Sequence, residues 1–158
     1  TAKDKHFKPA STLIKKLVEC VSKGGNLLLN VGPDAQGRFP EESRRILREI
    51  GAWMDRNGES IYGCGMAGLP KPEFGRVTRK GDRLYFHVYE NALGPLPLPG
   101  LKPEEVVSIR RLADGSEVPV STSWTHSDYP DIVFADLGPD PVLPDPVDTV
   151  LEVRVKGD

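Results

Sequence analysis

Residues 23–40 read KGGNLLLNVGPDAQGRFP and contain the change of pattern that decides the fold. Leu27 to Val31 form a short apolar run interrupted by Asn30, which is typical of a buried parallel strand. The next residues, 32–37, contain Gly, Pro and Asp, which are typical of turns. The stretch therefore predicts a strand that ends abruptly in a polar loop.

Helical periodicity lies on both sides of this strand. Apolar residues recur at helical spacing over residues 9–23, and Gly24-Gly25 supplies a C-terminal stop. A second helix is predicted over residues 40–56, and residues 60–63 are predicted to form another short strand. Residues 1–66 are therefore predicted to be α/β.

After about residue 64 the spacing of the apolar residues changes from the 3.6-residue period of a helix to the two-residue period of a strand. The strands predicted on either side of Lys80-Gly81-Asp82 form a hairpin. Further short strands are predicted at 106–112, 117–121, 132–135 and 149–156. The proline-rich segments 94–100 and 138–146 are predicted to be extended connectors, because proline is excluded from central strands. Residues 67–158 are thus predicted to form an antiparallel β-sandwich.

The bulk composition excludes several classes of function. Hydrophobic residues make up 38% of the chain and charged residues 28%, with a formal net charge of −2. Such a balance gives no electrostatic reason to expect nucleic acid or an anionic membrane as a partner. No apolar run approaches the ~20 residues of a membrane span. Two cysteines without zinc spacing predict neither a disulfide framework nor a metal site.

Two blocks of sequence resemble a known enzyme family. SKGGNLLLNVGPDAQGRFP at 22–40, followed by NGESIYG at 57–63, resembles the end of the catalytic barrel of family 29 α-L-fucosidases. GLPKPEFGRVTRKGDRLYFHVYE at 68–90 resembles the start of their C-terminal β-sandwich, especially in bacterial members. The resemblance implies the closing β/α units of a (β/α) barrel at 1–66 and the sandwich at 67–158.

The resemblance also implies a reaction. Family 29 enzymes hydrolyse terminal α-L-fucose from glycans with retention, using an Asp nucleophile and usually a Glu acid/base, without metal or cofactor. In the family both carboxyl groups lie on earlier barrel segments, which would precede Thr1. No catalytic residue is therefore assigned here, and the chain alone is expected to be inactive. A start at Thr1 without Met is expected for a processed product or a cut piece of a longer protein.

Asn30 and Gly32 are the first candidates for contact with substrate. In a barrel, substrates lie at the carboxyl ends of the strands, where these residues are predicted. The alternative for Asn30 is a buried amide that holds the loop backbone by hydrogen bonds.

The loop SWTHSDYPD at 123–131 supplies further candidates. Trp124 could stack on a sugar face and His126 could hydrogen-bond hydroxyl groups, together with Phe74, in a cleft of its own or a neighbouring subunit. The alternative is that the aromatic side chains close the end of the sandwich. The expected partners are a fucosylated glycan and the remainder of the catalytic barrel, with a homo-oligomer left open.

The remaining polar and aromatic residues are given structural roles. Asp34, Glu41 and Glu42 could supply a carboxylate pair, but Glu41 and Glu42 are assigned to the first turn of a helix or to solvent. Trp53 and Tyr62 are assigned to the core, and His87 to a surface or interface. The alternative function for the whole chain is a non-catalytic module that binds carbohydrate or stabilises an interface.

Overall fold

Two α-helices pack on one face of a β-sandwich in the computed structural model of the chain. The structure describes residues 10–25, 41–90, 95–120, 132–137 and 148–157. The predicted strand at 27–31 lies outside these residues.

The helices are α1, Ala10–Ser22, and α2, Glu41–Asn57. Both lie within a residue or two of the predicted bounds. Gly24, two residues after the end of α1, has a φ of +80°. The Gly24 N–H donates to the Val21 carbonyl at 2.9 Å, and the Gly25 N–H donates to the Cys20 carbonyl at 2.8 Å. These two bonds form a Schellman motif, so the predicted glycine stop is confirmed.

The strand predicted at 60–63 is wrong. A 3₁₀ turn, Gly58–Ser60, follows α2 directly. The N–H groups of Ile61 and Tyr62 both donate to the Gly58 carbonyl at 2.9 Å. So short an apolar segment cannot be distinguished from a helical turn by periodicity. Tyr62 is consequently 65% exposed, and its assignment to the core is also wrong.

Seven strands form two sheets within the described residues. They are β1 Gly65–Met66, β2 Gly75–Lys80, β3 Arg83–Val88, β4 Leu96–Leu98, β5 Val106–Arg111, β6 Val133–Ala135 and β7 Thr149–Val155. The larger sheet has the order β1-β2-β3-β7-β5, the smaller one pairs β4 with β6, and every pairing is antiparallel.

The hairpin of β2 and β3 is confirmed. Lys80 pairs with Arg83 across a two-residue turn in which Gly81 has a φ of +63°. Two differences from prediction occur elsewhere. β4 is a strand within a predicted connector, which proline permits because β4 pairs with β6 alone. In 117–120, the described part of the strand predicted at 117–121, the pairing is limited to isolated bridges at Glu117 and Val120.

The first core lies between the two sheets. Leu84, Phe86 and Val88 of β3 point into it and meet residues of the smaller sheet, such as Leu98 and Val133. All five side chains are buried. This apolar face of the hairpin packs as the inner layer of a sandwich.

The second core lies between the helices and the larger sheet. Ile14 and Val18 of α1 and Trp53 of α2 pack with Tyr85 and Val150 of the sheet. Trp53 is in the core as predicted. β3 is therefore covered on both faces. The assignment of His87 to a surface is wrong for this reason, since the residue is completely buried.

The division of the chain at residues 66 and 67 stays a prediction. β1 belongs to the first predicted segment but pairs with β2 of the second. Neither described helix has the length and hydrophobicity needed to cross a bilayer.

Candidate functional site

Phe74 is the candidate substrate-binding residue that lies within the described residues. Asn30, Gly32, Trp124 and His126 lie outside them, so their predicted roles stay predictions. Phe74 immediately precedes β2 and is largely buried, with its ring centroid 6.4 Å from that of Phe86. It therefore belongs to the sandwich core on one side and to the molecular surface on the other.

A cleft of about 560 Å³ lies next to Phe74. Its lining combines apolar and charged side chains from three segments: Lys71, Pro72, Glu73, Phe74, Glu90, Leu96, Pro97 and Pro99. Strand pairing creates the cleft, because the Tyr89 N–H donates to the Phe74 carbonyl at 2.9 Å and so holds the end of β3 beside the start of β2. Sequence analysis found Phe74 but missed Glu73 and Glu90, whose local sequence gives no sign that they share a cleft.

The chemistry of this cleft suits a polar ligand with an apolar face. Phe74 and the prolines offer apolar surface, while Glu73 and Glu90 offer hydrogen-bond acceptors and Lys71 offers donors. Ligand sites commonly combine apolar walls with a few polar groups in this way. The cleft could therefore hold a sugar, whose ring has apolar faces and hydroxyl edges.

Thr78, His87 and Asp148 form a second cluster with the residue types of a catalytic triad. His87 Nε2 lies 3.0 Å from Thr78 Oγ1, and His87 Nδ1 lies 2.6 Å from Asp148 Oδ2. All three residues are completely buried, and the Thr78 hydroxyl donates to the Ser60 carbonyl at 2.8 Å. A nucleophile must be reachable by substrate, and its hydrogen must pass to the base. This cluster is therefore structural.

A third cluster contains two carboxyl groups. The Tyr85 hydroxyl donates to Glu59 Oε2 at 2.7 Å. Arg110 donates to both oxygens of the buried Glu152, at 2.8 and 3.2 Å. Hydrogen bonds from Glu152 and then Tyr85 lower the pKa of Glu59, and burial raises the pKa of Tyr85. The hydrogen bonds from Tyr85 and Arg110 and the burial of Glu152 make this pair structural, unlike the carboxyl pair of retaining hydrolysis, which has a sugar between its members.

The other acidic candidates are solvated or undescribed. Glu41 begins α2 and forms an exposed ion pair with Arg48 at 3.4 Å, in keeping with its assignment to the first helical turn or solvent. Nothing is described of Asp34 or of the side chain of Glu42. Among the described residues, no group of three His, Cys, Asp or Glu side chains could hold a metal ion.

Known proteins resemble this chain in sequence and in structure. The family model described as alpha-L-fucosidase matches residues 1–59. The structure of α-L-fucosidase isoenzyme 1 from Paenibacillus thiaminolyticus is 49% identical over 98% of this chain, with a TM-score of 0.93. An α-L-fucosidase of Bacteroides thetaiotaomicron is 27% identical over 95% of the chain, with a TM-score of 0.80. The α-L-fucosidase of Dictyostelium discoideum is 53% identical over 57 residues.

The helix pair and its β-sandwich are thus an architecture found in glycoside hydrolases. The chain matches the C-terminal part of the α-L-fucosidases of glycoside hydrolase family 29. This likeness confirms the predicted fold class, the end of a barrel followed by an antiparallel sandwich. The chain spans 36% of the Paenibacillus enzyme, 33% of the Bacteroides enzyme and 12% of the Dictyostelium protein.

Proposed function

We propose that the chain is part of a retaining α-L-fucosidase that hydrolyses terminal α-L-fucose from glycans. The observation that carries the proposal is the likeness to the Paenibacillus enzyme, at 49% identity and a TM-score of 0.93 over nearly the whole chain. Within such an enzyme the helices would complete the catalytic barrel, and the sandwich would cover one side of it. The remainder of that barrel is the chain's expected partner.

Retaining hydrolysis supplies the mechanism. A carboxylate attacks the anomeric carbon of fucose to form a glycosyl-enzyme ester, and a carboxylic acid protonates the leaving oxygen; water then hydrolyses the ester. The Bacteroides relative was crystallised as a trapped covalent intermediate with 2-fluoro-fucosyl fluoride, which supports this route. Because the described carboxyl pair of Glu59 and Glu152 is held by tyrosine and arginine, we place the reacting carboxyl groups in the rest of the enzyme.

The chain's own contribution would be one wall of the site. Asn30 and Gly32 would lie at the carboxyl end of a barrel strand, where substrates bind in this architecture. Asn30 would then orient a sugar hydroxyl or a catalytic carboxylate. The proposal involves no metal or cofactor.

Hydrolysis of a chromogenic α-L-fucoside tests the proposal. The 158-residue chain and the full enzyme would be assayed side by side, after the mass of each has been confirmed. We expect turnover by the full enzyme and none by the chain. Turnover by the chain would show that the reacting carboxyl groups lie within it, and Asp34, Glu41 and Glu42 would be replaced first. If neither protein releases fucose, the proposal is wrong.

The cleft beside Phe74 favours a second candidate, a sugar-binding role for the sandwich. Trp124 and His126 would contribute from the loop at 123–131, in the same subunit or in a neighbour of a homo-oligomer. Replacing Trp124 or His126 by Ala in the full enzyme should raise KM for a fucosylated glycan, with Lys102→Ala as a surface control outside the cleft. Unchanged KM and kcat in both variants would contradict this role.

A further inference from the structure

Six buried residues are joined, through their side chains and main-chain carbonyls, in a closed ring of hydrogen bonds between the helices and the larger sheet. Each is 1% exposed or less. In order around the ring they are Trp53, Asn57, Ser60, Thr78, His87 and Asp148.

The first half of the ring runs from α2 into the sheet. Asn57 Nδ2 donates to the Trp53 carbonyl at 3.3 Å, and Ser60 Oγ donates to the Asn57 carbonyl at 2.6 Å. Thr78 Oγ1 then donates to the Ser60 carbonyl at 2.8 Å. These bonds connect the last turn of α2, the 3₁₀ turn after it and the centre of β2.

The second half returns from the sheet to α2. Because the Thr78 hydroxyl hydrogen goes to Ser60, the Thr78 oxygen accepts from His87 Nε2, which lies 3.0 Å away. On the other side of the imidazole, Nδ1 and Asp148 Oδ2 are hydrogen-bonded at 2.6 Å. The ring closes where Trp53 Nε1 donates to the Asp148 carbonyl at 3.2 Å.

Because the ring is closed and buried, its six hydrogen bonds should stabilise the fold more than six separate bonds would. Four of the six bonds end on a main-chain carbonyl, so these side chains hold the backbone of the next member, while His87 joins the side chains of Thr78 and Asp148. Hydrogen bonds chained in a site of low dielectric strengthen one another. A member that loses its partner there leaves a buried polar group unsatisfied. Opening the ring at any point should therefore weaken the bonds on its far side.

We propose that this ring is a lock that makes the helix pair and the β-sandwich one cooperative unit. His87 is its central member, because it joins the β2–β3 hairpin to the start of β7. The lock would keep the barrel end of the chain and the sandwich from separating, and it does not depend on whether the parent enzyme cleaves fucose.

A double-mutant cycle across the ring tests the lock. Thr78→Val and Trp53→Phe remove hydrogen bonds at opposite points of the ring, and no hydrogen bond joins these two residues directly. The unfolding equilibrium constant would be measured in urea for the chain, both single variants and the double variant. We expect the double variant to depart from the product of the single effects by at least about threefold, as residues of one network do.

A matched cycle supplies the control. Ser116→Ala removes a hydrogen bond from Arg111 in a part of the molecule outside the ring. Combined with Trp53→Phe, it should give the product of the single effects within about twofold. If the Thr78 and Trp53 effects also multiply within that limit, the ring is a set of independent contacts and the lock is refuted.

Native-state hydrogen exchange keeps the proposal testable if a variant does not fold. In the unchanged chain, backbone amides of α2 and of β3 should merge into a single opening transition as urea is raised. If α2 amides instead exchange through a separate opening at lower urea than β3 amides, the two parts unfold independently and the proposal is wrong.

Discussion

Gly75 shows at the scale of one residue how closely the strands of the hairpin approach. A Cβ added there would lie 1.8 Å from the His87 carbonyl oxygen and 3.0 Å from the carbonyl carbon. Both atoms belong to backbone, so no side-chain rotation can relieve the contact. Any residue other than glycine must push β2 and β3 apart at the edge of the Phe74 cleft.

We therefore expect Gly75→Ala to lower the free energy of unfolding by about 3 kcal/mol or more, measured in urea. Gly65→Ala is the matched control, because a Cβ at Gly65 would meet no atom within 4 Å. Gly65→Ala should change stability by less than about 1 kcal/mol. Equal losses in the two variants would contradict the steric explanation.

The contribution of the ion pair of Glu152 and Arg110 to stability depends on the burial of Glu152. Glu152 is 1% exposed and accepts two hydrogen bonds from Arg110, whose side chain is 45% exposed. Glu152→Gln should lower stability by about 1–2 kcal/mol, less than for a fully buried pair because solvent screens Arg110. The measurement is urea unfolding at neutral pH.

The exposed pair of Glu41 and Arg48 supplies the control for this prediction. Its side chains are 76% and 66% exposed. Glu41→Gln should therefore change stability by no more than about 0.5 kcal/mol. A loss as large as that of Glu152→Gln would mean that burial is not what distinguishes the two carboxylates.

At the scale of an element, α2 contains an interior glycine that lowers the stability of the helix. Gly51 lies in the helix interior, and a Cβ there would meet no atom within 4 Å. Gly51→Ala should therefore raise the free energy of unfolding by about 0.5–1 kcal/mol, chiefly by restricting the unfolded chain. Gly68→Ala also adds a methyl group in open space, but Gly68 has a φ of +72°, so it should destabilise. Stabilisation by both variants would be inconsistent with this account.

The elements that local pattern determines were predicted well. The apolar spacing of α1 and the glycines after it suffice to place the helix and its end. Lys80-Gly81-Asp82 likewise suffices for the hairpin. The apparent strand at 60–63 was wrong because a four-residue segment carries too little periodicity, and the hydrogen bonds to Gly58 decided its conformation.

The features that depend on packing could not be predicted from the sequence. The alternation of β3 predicts one buried face, and the burial of His87 arises because α1 and α2 cover the other. The cleft was missed in the same way. Phe74 stood out as an aromatic residue, but Glu90 joins it through the pairing of β2 with β3, and Pro97 through the position of β4.

At the scale of the whole molecule, three carboxyl groups among the described residues make the stability of the fold decrease at acidic pH. Hydrogen bonds lower the pKa of Glu59 through Glu152 and Tyr85, of Glu19 through Lys23 and Arg76, and of Asp114 through Ser116. The unfolded chain therefore binds more protons than the folded chain as the pH falls. The stabilisation is fully present above the ordinary pKa values of 4.5 for Glu and 3.8 for Asp, and it is lost as the pH falls through the folded values.

We expect Tm to be constant near neutral pH and to decrease between about pH 5 and pH 3. Glu59→Gln should reduce the size of that decrease, because the glutamine cannot take up the proton. Calorimetry of both proteins across this range checks the prediction. A Tm that does not change on acidification would show that these hydrogen bonds favour the ionised carboxylates no more than water does.

The prolines within and on either side of β4 affect how copies of the protein interact at high concentration. Successive residues of a strand direct their N–H groups to opposite edges, and prolines occupy positions 95, 97 and 99. One edge of this strand is therefore stripped of donors over its whole length. A strand from another molecule would find no N–H donors there, so the sequence protects this edge of the smaller sheet against growing into fibrils.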